Sequence, residues 1–161
     1  MAIRLFDDSE REDVARFIEA HWRSKLVMSC GKSWYPHEQE GLIDRRDGEI
    51  VGLVTFRSED HGMEVLTIDS VKTGAGLGSA LMLALIDVAR RRGNTRIWLA
   101  TTNDNLRAVS FYQRLGFRLS EVHLGVVDEA RKTKPQIPDE GQGGIPIHDE
   151  WIMELQIEPS L

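Results

Sequence analysis

The sequence is poor in the residues that build disulfide frameworks and metal centres. Its 161 residues include one cysteine, Cys30, and five scattered histidines. A single cysteine cannot form an internal disulfide, and the histidines show no spacing typical of metal ligands. The sequence therefore predicts neither a disulfide nor a metal centre, and we interpret Cys30 as a structural residue.

Long apolar runs are also missing. No run reaches the roughly 18 residues of a membrane-spanning helix, and residues 1–8 lack the apolar core of a secretory signal. The formal charge of −6 argues against a general affinity for nucleic acid. We therefore expect a cytoplasmic protein with neither a membrane nor a nucleic-acid partner. The acidic balance permits a cationic acceptor such as an amine, and solubility alone explains it equally well.

The length and composition are those of one globular domain. The chain is 41% hydrophobic and 29% charged, and it contains no internal repeat. The sequence therefore predicts a single domain over residues 1–161.

The first forty residues predict a strand, a helix and an irregular segment. Ala2 to Phe6 alternates like a strand, and Ser9 to Glu12 has the pattern of a capping box. Apolar residues from 14 to 22 then recur at helical spacing. The stretch from Ser24 to Gln39 has mixed polarity and predicts a loop or broken helix, a candidate wall of a substrate site.

A meander of strands follows. The stretches 41–45 and 49–56 are joined by Asp47-Gly48, a dipeptide that suits the positive φ angles of a tight hairpin. A second turn at 59–62 leads to a strand over 63–70.

The remaining pattern alternates helices and strands. Helical periodicity from Leu77 to Ala89 ends near Gly93, and a buried strand typical of parallel pairing follows at 96–101. Later elements are a helix over 108–115 closed by Gly116, strands over 117–124 and 151–157, and a Gly/Pro-rich connection over 125–148.

The link between the strand at 63–70 and the helix at 77–89 is rich in glycine. Gly74, Gly76 and Gly78 stand at alternate positions before the helix, where main-chain amides and the helix dipole can bind phosphate oxygens. A dinucleotide fingerprint would need glycine or alanine at Ser79, and a Walker-type loop would need lysine there. A purely structural turn is the remaining alternative.

Two segments resemble the signatures of the GNAT superfamily of N-acetyltransferases. Thr73-Gly74-Ala75-Gly76-Leu77-Gly78 is similar to its Arg/Gln-x-x-Gly-x-Gly/Ala turn, and Asn105 to Phe117 is similar to its second signature. The resemblance implies an α/β (α+β) fold with a mixed, mostly antiparallel central sheet of about six or seven strands, helices on both faces and a splayed strand pair. It also implies acetyl-CoA as co-substrate, an amine acceptor, direct ternary-complex transfer without a metal, and a possible homodimer. A non-catalytic acyl-CoA sensor or interaction module is the alternative.

The resemblance also assigns site residues. The expected coenzyme contacts are Thr67, Ile68, Asp69, Thr73, Gly74, Ala75, Gly76, Leu77, Gly78, Ser79, Asn105, Ala108 and Tyr112. The superfamily usually carries arginine or glutamine at the position of Thr73, so Lys72 is an alternative contact to the diphosphate. Asn105 is alternatively only a helix cap.

The catalytic candidates are Tyr112 and Glu64. By resemblance, Tyr112 is the general acid for the departing sulfur, although packing alone would also explain it. Glu64 is the candidate base, directly or through water, with Asp69 and His123 as competitors. The long 125–148 connection predicts a loop over the acceptor entrance that uses His148 or Asp149 in substrate selection; a loop that merely packs outside is equally compatible.

Overall fold

The computed structural model describes residues 2–72 and 74–158. Its elements, in chain order, are β1 (Arg4–Leu5), α1 (Arg11–Trp22), β2 (Val27–Ser29), β3 (Lys32–Trp34), β4 (Glu40–Arg46), β5 (Glu49–Glu59), β6 (Gly62–Ser70), α2 (Leu77–Arg91), β7 (Arg96–Thr102), α3 (Leu106–Arg114), β8 (Arg118–His123), α4 (Val126–Thr133) and β9 (Glu150–Gln156). Short 3-10 turns lie at Asp8–Glu10, Pro36–Glu38 and Gln142–Gly144.

Seven strands form one mixed, mostly antiparallel sheet, as the sequence predicts. Their order is β1-β4-β5-β6-β7-β9-β8, while β2 and β3 form a separate two-stranded sheet. The pairs β1·β4, β4·β5, β5·β6 and β8·β9 are antiparallel. The chain forms two compact units, residues 1–97 with 157–161 and residues 98–156, which are described separately below.

In the first unit, helices cover both faces of β5. Val14 and Ile18 of α1 are fully buried in one apolar cluster with Leu53 of β5. The neighbouring residue Gly52 points to the opposite face, where a Cβ atom would lie 2.8 Å from Leu77 of α2. The predicted layering of helices on both faces is therefore present around this strand.

The capping box of the first helical segment lies two residues earlier than predicted. The Asp7 side chain accepts from the Ser9 amide at 2.9 Å, and the Glu10 carboxylate accepts from the Asp7 amide at 3.2 Å. The predicted box at Ser9 to Glu12 was therefore wrong. Glu10 is held in this place because Arg45 donates to it at 2.9 Å.

Both predicted hairpins of the meander are confirmed. Asp47 and Gly48 join β4 to β5 with φ angles of 52° and 81°, and Asp60-His61 joins β5 to β6. The β5·β6 register shifts between Thr55 and Phe56, which leaves Leu66 as the extra residue of a bulge in β6.

The segment from Ser24 to Gln39 is not the predicted loop or broken helix. It forms the hairpin β2–β3, in which Cys30 and Gly31 turn the chain with φ angles of 52° and 75°. A 3-10 turn at Pro36–Glu38 follows. Strands of three residues are too short to show a clear alternation, and Cys-Gly is not a usual hairpin dipeptide.

The second unit contains a helix where the sequence predicts only a connection. The predicted α3, ended by Gly116 at φ 101°, and the predicted strands β8 and β9 are present. The stretch over 125–148 includes α4, because Asp149 accepts from the Gly125 amide at 2.8 Å and Arg131 binds three carbonyl groups of the same stretch. Across the described part of the chain, no helix is long and apolar enough to span a membrane.

Candidate active site

The glycine turn between β6 and α2 leaves its backbone open. Gly74 and Gly76 adopt φ angles of 81° and 80°, and a Cβ atom at either position would meet nothing within 4 Å. Ala75 between them is exposed, as is Lys72 before them. Thr73 lies outside the described residues. A ligand can therefore approach the main chain of this turn closely.

The turn leads into a helix end without a side-chain cap. Gly76 occupies the cap position, and the first intrahelical bond runs from the Ala80 amide to the Gly76 carbonyl at 3.0 Å. The amides of Leu77, Gly78 and Ser79 therefore point along the axis without intrahelical acceptors. Since the first turn holds no acidic residue, the helix dipole is uncompensated there. The chemistry of this end suits the oxygens of a diphosphate.

Polar side chains occupy one face of β6, the strand that enters the turn. Glu64 and Thr67 are 1% and 2% exposed, and Asp69 further along is half-buried. The Thr67 hydroxyl lies 2.6 Å from that of Thr55 on β5. Burying polar groups lowers stability unless each finds a partner, so such a stripe is unusual for a purely structural strand.

Glu64 is fully engaged in this stripe. One of its carboxylate oxygens accepts from Arg57 Nε at 2.6 Å, and the other accepts from the Ser29 hydroxyl. Arg57 is stacked over the Trp34 ring, with 4.3 Å between its guanidinium carbon and the ring centroid. The carboxylate is thus ion-paired and fixed in orientation.

Asp69 has a different environment from Glu64. Its carboxylate accepts from the Trp22 indole nitrogen at 2.7 Å. Burial raises the pKa of Asp69, against smaller lowering effects of the Trp22 hydrogen bond and the charge of His21. Glu64 is therefore paired with a guanidinium group, whereas Asp69 accepts from a neutral indole N–H.

The bulge at Leu66 is a feature that the sequence did not reveal. It lies between Glu64 and Thr67 and re-aims the backbone before Ile68, one of the predicted coenzyme contacts. A bulge is set by the register of the partner strand, so no local pattern in β6 announces it.

In the second unit, Ala108 and Tyr112 share one side of α3 by their spacing, and Asn105 occupies the cap position before the helix. Tyr112 is 8% exposed, and its ring centroid lies 5.4 Å from that of Phe111 and 5.6 Å from that of Phe117. The ring is therefore packed, while its role as general acid stays a prediction.

Asn105 does not cap α3 with its side chain. Its Nδ2 donates to the Thr101 hydroxyl at 3.2 Å, and its Oδ1 accepts from Gln142 Nε2 at 3.0 Å. The capping alternative is therefore wrong for the side chain. Gln142 lies far along the chain in a segment predicted as a loop, so no sequence pattern links it to Asn105.

Two neighbours of Asn105 bind the backbone of the 125–149 segment. Asn103 Oδ1 accepts the amides of His148 and Asp149 at 2.9 and 3.0 Å, and its Nδ2 donates to the Pro146 carbonyl at 2.9 Å. Asp104 accepts from the Gln142 amide at 3.3 Å. These contacts fix the segment against the start of α3.

The remaining histidine candidates of the second unit lie beside carboxylates. His148 Nδ1 lies 3.0 Å from Asp128 of α4. His123 lies 3.0 Å from Glu121 and 3.5 Å from Glu150, and the hydrogen bond with Glu121, followed by that with Glu150, raises its pKa. The suggested use of His148 or Asp149 in substrate selection and the use of His123 as base stay predictions.

Comparison with known proteins identifies the protein family. Residues 4–117 match the model of the acetyltransferase (GNAT) family. YxbD of Bacillus subtilis (strain 168) is 35% identical over 146 residues, 90% of this chain and 92% of that protein, and YdhI of the same strain is 32% identical over 143 residues, 88% and 89%. A solved Bacillus subtilis acetyltransferase in complex with CoA has a TM-score of 0.68 at 18% identity, over 97% of this chain and 98% of that chain.

The chain belongs to the GNAT acetyltransferase family. The predicted fold class is confirmed, and the structural likeness is consistent with the predicted splayed strand pair.

Proposed function

We propose that the protein is an N-acetyltransferase that moves the acetyl group of acetyl-CoA directly to a primary amine of a small molecule or a peptide. The observation that carries the proposal is the open glycine turn with the uncapped end of α2 behind it. Membership of the family and the CoA bound to a structural neighbour support the same coenzyme.

In this proposal the amides of residues 74–79 bind the diphosphate. Space at Gly74 and Gly76 admits phosphate oxygens, and the positive end of the helix dipole stabilises their charge. Thr67, Ile68 and Asp69 of β6 line the pantetheine arm, whose amides hydrogen-bond like those of an added strand. Asn105, Ala108 and Tyr112 are the proposed contacts from α3.

The proposed chemistry needs an acid and a base. The amine nitrogen attacks the thioester carbonyl carbon, the carbon–sulfur bond breaks, and Tyr112 gives the sulfur its proton. Glu64 takes the proton that the amine loses. Because Glu64 is 1% exposed and its two oxygens accept from Arg57 and Ser29, the proton reaches it through an intermediary.

The coenzyme assignment is tested by titration with CoA and acetyl-CoA in a calorimeter. Activity is tested by incubating the protein with acetyl-CoA and a panel of polyamines, amino acids, aminoglycosides and short peptides, with free thiol as the readout. Release of CoA with an amide product of the expected mass supports the proposal. Tight coenzyme binding without any acetylated product would instead favour a sensor, and absence of binding would refute both functions.

The role of Tyr112 is tested by Tyr112→Phe, which keeps the ring and removes the hydroxyl. We expect kcat to fall by about 10²-fold, the usual worth of general acid catalysis, while the Kd of acetyl-CoA stays within about two-fold. Unchanged turnover would remove the acid assignment and leave the ring with its packing role.

A further inference from the structure

The buried carboxylate of Glu64 accepts a hydrogen bond from a serine that is next in the chain to an exposed turn. Ser29 is the last residue of β2, is 8% exposed, and directly precedes the exposed turn residues Cys30 and Gly31. Its hydroxyl donates to Oε2 of Glu64, which is 1% exposed. Ser29 is therefore hydrogen-bonded to the interior carboxylate and covalently linked to the exposed hairpin turn.

The other donor to Glu64 cannot deliver a proton. Arg57 Nε binds Oε1 at 2.6 Å, and a guanidinium group stays protonated at every pH that a protein tolerates. A hydroxyl group differs because it donates one hydrogen bond and accepts two. While Ser29 donates to Glu64, its lone pairs are able to receive a proton from another molecule.

Packing alone does not require this arrangement. Arg57 is stacked on Trp34 and already neutralises the charge of Glu64, so the ion pair is complete without a hydrogen bond from Ser29. A small apolar residue at position 29 would spare the hydroxyl its desolvation, since a buried polar group lowers stability unless its bonds are made. The neutralisation of Glu64 by Arg57 therefore does not by itself account for a hydroxyl group at position 29.

We propose that Ser29 relays the proton of the acceptor amine to Glu64, an inference that rests on the proposed acetyltransferase function. As the nitrogen–carbon bond forms, the amine proton passes to Ser29 Oγ, and the Ser29 hydroxyl proton passes to Glu64 Oε2. The carbon–sulfur bond then breaks, and its electron pair leaves with the sulfur, which takes the Tyr112 proton. Glu64 ends neutral and Tyr112 ionised, and exchange with water restores both.

The test compares Ser29→Ala, Ser29→Thr and the control Ser33→Ala, all with acetyl-CoA and the panel amine that wild type acetylates fastest. Ser33 lies in the same hairpin but is exposed, so it reports the effect of losing a hydroxyl outside the relay. We expect Ser29→Ala to lower kcat by about 10²-fold with little change in the KM of acetyl-CoA, and Ser29→Thr to restore most of it. Melting temperatures of all variants show whether each is folded.

Solvent isotope effects separate a relay from a purely structural serine. In mixtures of H₂O and D₂O, wild type should show a curved dependence of kcat on deuterium fraction, because two protons move in one step, and Ser29→Ala should show a smaller effect. If the wild type is active and a folded Ser29→Ala variant has a kcat within about three-fold of it, the relay is refuted while the proposed function stands. A wild type that acetylates no amine overturns the relay together with the proposed function.

Discussion

Replacement of Gly76 by alanine separates the binding role of the glycine turn from its folding role. Gly76 has a φ angle of 80°, and an alanine held at this angle should lower the free energy of unfolding by roughly 1–2 kcal/mol. Because a Cβ atom there would meet nothing within 4 Å, no steric clash adds to that loss. For a chain of this length the melting temperature should fall by about 2–8 °C.

Gly48 provides a matched control for this change. It has a φ angle of 81° in the β4–β5 hairpin, and a Cβ atom there would also meet nothing within 4 Å. Gly48→Ala should therefore reduce stability by a similar amount, through the same backbone term. Any difference in ligand binding between Gly76→Ala and Gly48→Ala then reports contact and not stability.

The assay is calorimetric titration with CoA and with pantetheine, which lacks the diphosphate. We expect Gly76→Ala to weaken CoA binding by at least ten-fold, about 1.4 kcal/mol, because the methyl group takes space needed by a phosphate oxygen. The same variant should bind pantetheine like wild type, and Gly48→Ala should bind both ligands like wild type. Equal CoA affinity in Gly76→Ala and wild type would refute a diphosphate site on these amides.

Three further predictions concern stability. The hydrogen bond with Arg4 is the largest cause that lowers the pKa of Glu10 from 4.5 to about 2. In urea unfolding at pH 7, Glu10→Gln should therefore reduce the free energy of unfolding by about 1–3 kcal/mol. This difference from wild type should shrink as the pH falls from 4.5 to 2. Burial raises the pKa of Asp69, so Asp69→Asn should increase the free energy of unfolding at pH 7, and the gain should disappear below the ordinary value of 3.8; an unchanged pH profile would contradict this. In Gly141→Ala the new Cβ would lie 1.8 Å from an Asp104 oxygen, so limited proteolysis should cut the 125–149 segment faster, and cleavage at the wild-type rate would contradict that contact.

The sequence predicted the elements whose signals are local. Asp47-Gly48 specifies its hairpin through the φ angles that those residues tolerate, and the periodicity of α2 continues over four turns. The glycine turn was predicted for the same reason, because its shape depends on the φ angles that Gly74 and Gly76 tolerate.

Other features depend on distant partners and were missed. The capping box begins at Asp7, although Ser9 offers the same local pattern, because Glu10 is held by Arg4 and Arg45. The β2–β3 hairpin places Ser29 on Glu64, a residue 35 positions away. Such contacts exist only after the strands are assembled, so no window of neighbouring residues contains them.

The anchoring of the 125–149 segment by Asn103 and Asp104 has a consequence for engineering. Both side chains hold main-chain groups, so the register of the segment is independent of most of its own side chains. Stretches of residues 126–140 from a homologue should therefore be interchangeable while these two residues, Gly141 and the carbonyl-binding Arg131 are kept. Chimaeras of this kind would show whether the borrowed sequence brings its donor's choice of amine with it.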